Sequence, residues 1–271
     1  MRGRAVDAAA VTAVAAVAVI AAGLSLVVAG CSGSGASGGS GSGSGSTSSS
    51  GPGSSATGPG AGSGSPSANG PAPAGQLTGA QLTRALLPAS DFPASFVVSR
   101  QGSADSGSGL EKAAAAYDVS TMSCTDWDDY FTGAGFGETA YTSDSVASST
   151  KDQSYGQIVY QFGSSAAASR FFGGIRSLPG RCRSFTASGG GAAGRVTMQP
   201  AAAAPIDGHQ AFWIMQATTV VGESSTSNTL FSLEGTDVYA VSASGTGASP
   251  PSSPAAEMLL RKLIASVQAH H

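Results

Sequence analysis

The sequence predicts an α+β domain, an antiparallel sheet with helices packed on one side, preceded by a disordered linker. Three observations predict it. Residues 32 to 75 are almost entirely Gly, Ser, Ala and Pro, a composition that cannot bury enough apolar surface to fold. Beyond them, apolar residues recur at helical spacing in a few stretches and alternate with period two in several others. The alternating runs crowd the second half of the chain around a turn signal, Glu234-Gly235-Thr236-Asp237, which is the mark of antiparallel hairpins rather than of parallel crossovers.

Taken in order, the pattern TGAQLTRALLP predicts a short helix from Gln76 to Leu87 that Thr78 caps, Pro88 ends and Leu82, Leu86 and Leu87 turn toward the core. DFPASFVVSR predicts a turn and a short strand, residues 101 to 109 a loop, and Thr125 to Phe131 a helix. Gly133, Gly135 and Gly137 open a loop before a polar, strand-like segment. Ile158, Tyr160 and Phe162 then alternate as a strand should, and Gly163-Ser164 turns the chain. From Ser165 a helix carries the stripe Ala168, Phe171, Phe172, Ile175 and Leu178. Gly173-Gly174 weakens its middle by about 1 kcal/mol per glycine, and Pro179-Gly180 is expected to stop it. RVTMQPA, AFWIMQATTVVG and TLFSLEGTDVYAVSASG predict strands. Ser253 and Pro254 then open a last helix with Leu260, Leu263, Ile264 and Val267 on one face.

Charge narrows the function. Only 11% of the 271 residues are charged and the formal net charge is −3, so there is no basic field for a nucleic acid and no polybasic patch for anionic lipid. The N-terminus is another matter. Arg2 and Arg4, with Asp7 after them, precede an uncharged Ala/Val-rich run from Ala8 to Gly30, the charged and apolar regions of an export signal. That run is also long enough to weigh as a membrane span. Its end, Val28-Ala29-Gly30-Cys31, resembles the lipobox of bacterial lipoproteins. The resemblance implies a signal peptide over residues 1–30, cleavage before Cys31 and a lipid on its sulfur. Two or more acyl chains, at about 0.8 kcal/mol per buried methylene, hold a protein firmly. Residues 31–75 would then be a flexible tether, spanning roughly 35 to 40 Å, and residues 76–271 the folded domain at the outer face of the cell membrane.

With Cys31 assigned to lipid, Cys124 and Cys182 remain, and an exported domain sits where thiols oxidise. Pairing them closes a loop of about 58 residues, worth around 4 kcal/mol in the chain-entropy view. Neither a C-x-x-C redox motif nor a four-ligand zinc pattern is present.

The strand, the Ser-Ser/Ala turn, the Ala/Phe helix with Cys182 just after it, the earlier Cys124, the β-rich second half and the terminal amphipathic helix together resemble the PknH-type extracellular sensor domain of actinobacterial lipoproteins. The resemblance spans about residues 76 to 271. It implies a solute-exposed cleft and carries no defined binding residues. One departure is plain: that domain is described with two disulfides, and this chain has cysteines for one once Cys31 is spent.

Catalytic constellations are thin. Of three histidines, His270 and His271 end the chain and His209 sits in an Asp207-Gly208-His209 turn. Gly35-Ala36-Ser37-Gly38-Gly39 matches the nucleophile-elbow string inside the linker, without the strand and helix that would strain it. Gly133-Ala134-Gly135-Phe136-Gly137 lacks the Lys-Ser/Thr of a phosphate loop. Asp126, Asp128 and Asp129 form an acidic cluster whose oxygens at alternating positions could hold Ca²⁺, but the EF-hand glycine and distal glutamate do not fall at the right places, so a solvated acidic face is expected. No metal or cofactor is therefore expected. Trp127 and Trp213 are the candidate lining of a pocket for an apolar ligand or a sugar. The reading that follows is a lipid-anchored sensor that binds an envelope ligand or protein without chemistry of its own. A cell-wall hydrolase would instead need Asp126, Asp128, Glu138 and Asp144 to converge, and a mere spacer or coat protein would have no cleft.

Overall fold

The computed structural model describes residues 75–94, 96–97, 104–111, 117–130, 135–150, 152–189, 192–247 and 253–271. The export signal, Cys31 and all but the last residue of the tether lie outside the described residues. Among the described residues nine strands form one sheet: β1 Phe96–Val97, β2 Ala104–Asp105, β3 Glu138–Ser148, β4 Gln153–Phe162, β5 Ser184–Gly189, β6 Ala192–Ala202, β7 Gln210–Val220, β8 Glu223–Glu234 and β9 Asp237–Thr246. They lie in the order β1-β3-β4-β9-β8-β7-β6-β5, with β2 also on β3. Every pairing is antiparallel.

Four helices, α1 Gly79–Ala85, α2 Cys124–Tyr130, α3 Ser165–Arg181 and α4 Ser253–Gln268, cover the sheet on both faces, which corrects the expectation of a one-sided layer. The reason lies in the central strands. On β4, Val159 belongs to the core under α1 and α4 while its neighbours Ile158 and Tyr160 belong to the core under α2 and α3. On β9 the same holds for Tyr239 and Val241 against Val238 and Ala240. A strand apolar at both parities needs cover on both sides.

The α1/α4 face is closed by a leucine-rich helix and by polar clamps. Ala256, Leu259, Leu260, Leu263, Ile264 and Val267 of α4 are buried, each large one contributing about 1.5–3 kcal/mol over exposure. Helix α1 is too short to hold itself. Thr78 accepts from the Gln81 N–H while the Gln81 side chain accepts from the Thr78 N–H, at 3.3 and 2.8 Å, a capping box. Two buried glutamines of β4 grip its flanks. Gln161 Oε1 accepts from the Leu77 N–H at 2.7 Å, and Gln157 both accepts from the Leu87 N–H at 3.0 Å and donates to the Leu87 carbonyl at 3.1 Å.

The α2/α3 face is aromatic. Phe171 lies 5.0–5.1 Å, ring centre to ring centre, from Tyr160, Phe136 and Phe162, and Phe172 lies 4.8 Å from Phe212. Ser164 caps α3 by accepting from the Ala167 N–H. The helix runs past Pro179-Gly180 to Arg181, correcting the expected stop: Pro179 falls in the last turn, and the Cys182 N–H still closes onto the Leu178 carbonyl at 2.7 Å. Among the described residues no helix is long and apolar enough to cross a membrane.

Candidate functional site

Cys124 and Cys182 are bonded, with Cα atoms 5.5 Å apart, so the start of α2 is stapled to the end of α3. Two further contacts press the intervening segment onto the helix. The Arg181 guanidinium donates to the Val119 and Met122 carbonyls at 2.6 and 3.1 Å, and Gly174 leaves room for Val119, whose Cβ would stand 3.1 Å from any Cβ added there.

Trp127 and Trp213 do not share a pocket. Trp127 is buried in the α2/α3 core, 6.3 Å from the Phe136 ring, and Trp213 is buried in the α1/α4 core on the opposite face. Each fills a core.

The four carboxylates named for hydrolysis are not brought together among the described residues. Asp126 is exposed on α2, and the side chain of Asp128 lies outside the described residues. Glu138 is buried, its two oxygens accepting from the Gly135 and Phe136 N–H groups at 2.7 Å each. A register shift separates Glu138 from Ala140, after which Asp144 pairs with Gln157 on the α1/α4 face. Sequence reasoning missed Glu111, whose carboxyl lies within electrostatic reach of Glu138. Burial, and after it the charge of Glu138, raises the Glu111 carboxyl above its ordinary range. Burial and then the charges of Glu111 and Glu138 raise the Tyr141 phenol as well. No contiguous motif announces this corner, because Glu111 comes to it from a distant stretch of sequence, its N–H donating to the Thr139 carbonyl at 2.7 Å. Among the described residues no group of three His, Cys, Asp or Glu is placed to hold a metal ion.

The sheet offers a second polar surface, on the face of the aromatic core. Register sets Ser145, Gly156, Ser242 and Thr229 in one row across β3, β4, β9 and β8. Ala147, Ser154, Ser244, Ser227 and Gln216 form the next, and Thr246, Ser225 and Thr218 a third. None of these is charged. Most are half-buried, and Ser244 donates to Ser227 at 3.0 Å. At Gly156 the Ser242 hydroxyl fills the space a side chain would take, since an added Cβ would stand 2.5 Å from Ser242 Oγ. The sequence does carry the signal, in the alternate serines of VSASG and ESSTSNT, but hydroxyls on a strand look like an ordinary solvated face until register joins them.

Fold and surface together define an α+β domain whose disulfide-stapled helix lies over one face of an antiparallel sheet, beside a neutral field of hydroxyls. No protein-family model matches the chain, and no curated protein does. Among solved structures the chain is similar to the extracellular domain of PknH from Mycobacterium tuberculosis, with 14% identity over 71% of this chain and 97% of that one and a TM-score of 0.48. It is also similar to an Rv0999 ortholog from Mycobacterium smegmatis, with 13% identity over 70% and 96% of the two chains and a TM-score of 0.38.

Proposed function

We propose that the protein is a lipid-anchored, extracytoplasmic sensor or binding lipoprotein without catalytic activity, which meets a neutral envelope ligand or protein on the hydroxyl face of its sheet. The observation that carries this reading is that face: three uncharged rows across adjacent strands, rich in hydroxyls and mostly half-buried, suited to a hydrogen-bonding partner rather than to an ion. The lipobox at Cys31 and the Cys124–Cys182 bond support the location, since disulfides persist in oxidising compartments.

The test uses the full chain purified from membranes. Mass spectrometry of its N-terminal peptide is expected to find a diacylglyceryl group on Cys31 and no leader. Thermal unfolding against fractionated neutral envelope glycans and envelope proteins is expected to show stabilisation by mass action, and Ser227→Tyr, which fills the middle row, is expected to abolish it. An intact leader, or stabilisation that survives Ser227→Tyr, overturns the reading. The Glu111–Glu138 corner favours a second one, a cell-wall hydrolase with paired carboxylates. Release of wall fragments by the wild type and its loss in Glu111→Gln would establish that alternative.

A further inference from the structure

The β8–β9 turn collects two carboxylates and two imidazoles. Asp237 and Glu234 stand directly opposite each other on β9 and β8, and Gln161 stands opposite Asp237 on β4. Asp237 is 5% exposed. His271, just past α4, places Nε2 3.2 Å from Asp237 Oδ2, and His209, in the loop between β6 and β7, places Nε2 3.5 Å from Glu234 Oε1. The remaining partners are neutral. Thr236 and Tyr239 donate to Asp237 at 3.2 and 3.3 Å, the Gln161 side chain lies beside it, and the Gln268 amide of α4 bonds Glu234.

No Lys or Arg among the described residues pairs with either carboxylate. Arg261 of α4 is engaged by Asp207 and Lys262 by Asp91, and His270 is turned to the Ser266 carbonyl. Like charges directly opposite on neighbouring strands repel, so at neutral pH this turn holds two carboxylates with no permanent cation to offset them. Imidazole is the side chain that gains charge between pH 8 and pH 5. Burial pushes the Asp237 carboxyl up and the pull of His271 opposes it; once acid protonates Asp237 its charge pair with His271 is lost, so fastening is confined to the pH range in which Asp237 is still ionised.

We propose that these two histidine–carboxylate pairs form an acid-set latch: protonation of His209 and His271 fastens the last turn of α4 and the β6–β7 loop onto the β8–β9 turn, and neutral pH loosens them. The latch holds or fails independently of what the hydroxyl face binds. A charged imidazole attracts the carboxylate beside it, where a neutral one offers only a hydrogen bond, so fastening grows as pH falls.

Hydrogen exchange on the full chain tests it, corrected for the intrinsic effect of pH on exchange. The Ala269 and His270 amides, which bond the Ala265 and Val267 carbonyls, report the last turn, and amides of α3 serve as reference. Protection of the last turn is expected to rise about five-fold from pH 7.5 to pH 5.5, while α3 stays flat. In a His209→Gln/His271→Gln variant the rise is expected to vanish. In His271→Arg, permanently charged, protection is expected to be high at both pH values. A flat wild type, a rise that survives loss of both histidines, or an equal rise in α3 overturns the latch.

Discussion

The two faces of the sheet are held by different means. Under α1 and α4 the helices contribute aliphatic side chains, which pack with Phe92, Phe96, Tyr155, Trp213 and Tyr239, and short helix α1 is kept in place by hydrogen bonds from Gln157 and Gln161 to the backbone on either side of it. Under α2 and α3 the core is a chain of aromatic rings, fastened at its outer edge by the Cys124–Cys182 bond and Arg181. A long amphipathic helix needs only a stripe to dock. A seven-residue one does not bury enough to outweigh its ordering entropy, so its flanking backbone must be gripped. The difference teaches that one sheet can stabilise its layers by packing on one side and by polar geometry on the other, and each can be broken separately.

The largest effect is expected from Phe171→Ala. It empties the position that three rings surround, and should lower unfolding stability in denaturant by about 3–5 kcal/mol, with faster exchange centred on α3 rather than α1. Removing both cysteines as Cys124→Ser/Cys182→Ser should cost about 2–5 kcal/mol. Exchange should quicken first across the stretch from Tyr117 to Trp127, since Val119, Met122 and Cys124 are all moored to the end of α3. If both losses loosened α1 as much as α3, the two faces would be one cooperative unit and the contrast between them would fail.

On the other face, Gln157→Leu keeps the volume but leaves the Leu87 N–H and carbonyl without partners. An unsatisfied buried group costs about 1–3 kcal/mol, and the loss should show as local opening of residues 77 to 87. Circular dichroism of the aromatic region should report the opening through Trp213, Tyr155 and Tyr239 of the same core, while exchange in α3 on the far side stays slow.

These glutamines show where sequence reasoning stops. The α3 stripe, the α4 stripe and the Glu234–Asp237 turn were legible because periodicity and turn chemistry are local, and each stands where it was expected. That helices lie on both faces is also written in the chain, in the adjacent apolar residues Ile158, Val159 and Tyr160, which fill both parities of β4. Strand β5 carries Ser and Thr at Ser184 and Thr186 and only one large apolar residue, Phe185, so it reads as loop until β6 supplies its ladder. Gln157 and Gln161 look like the solvent side of β4. Nothing local says that the partners awaiting them are backbone groups 70 and 84 residues away. The hydroxyl rows and the Glu111–Glu138 corner were hidden for the same reason, being products of register and of one long-range backbone bond.

The smallest expected effect separates neighbours on α3 itself. Gly173 is exposed with nothing within 4 Å of an added Cβ, whereas Gly174 is buried with Val119 Cβ at 3.1 Å. Alanine in place of either glycine gains helix propensity, about 0.8–1 kcal/mol. At Gly173 that gain stands alone, so Gly173→Ala should raise stability by nearly this amount. At Gly174 the new methyl pushes on a segment that the disulfide and Arg181 hold fast, so Gly174→Ala should gain less or lose outright. Pairing it with Val119→Ala should bring back part of the difference, as close neighbours are not additive. Equal stabilisation by both alanines in denaturant unfolding would mean that the 117–123 segment rests loosely on α3. The staple would then fasten only its own two sulfur atoms.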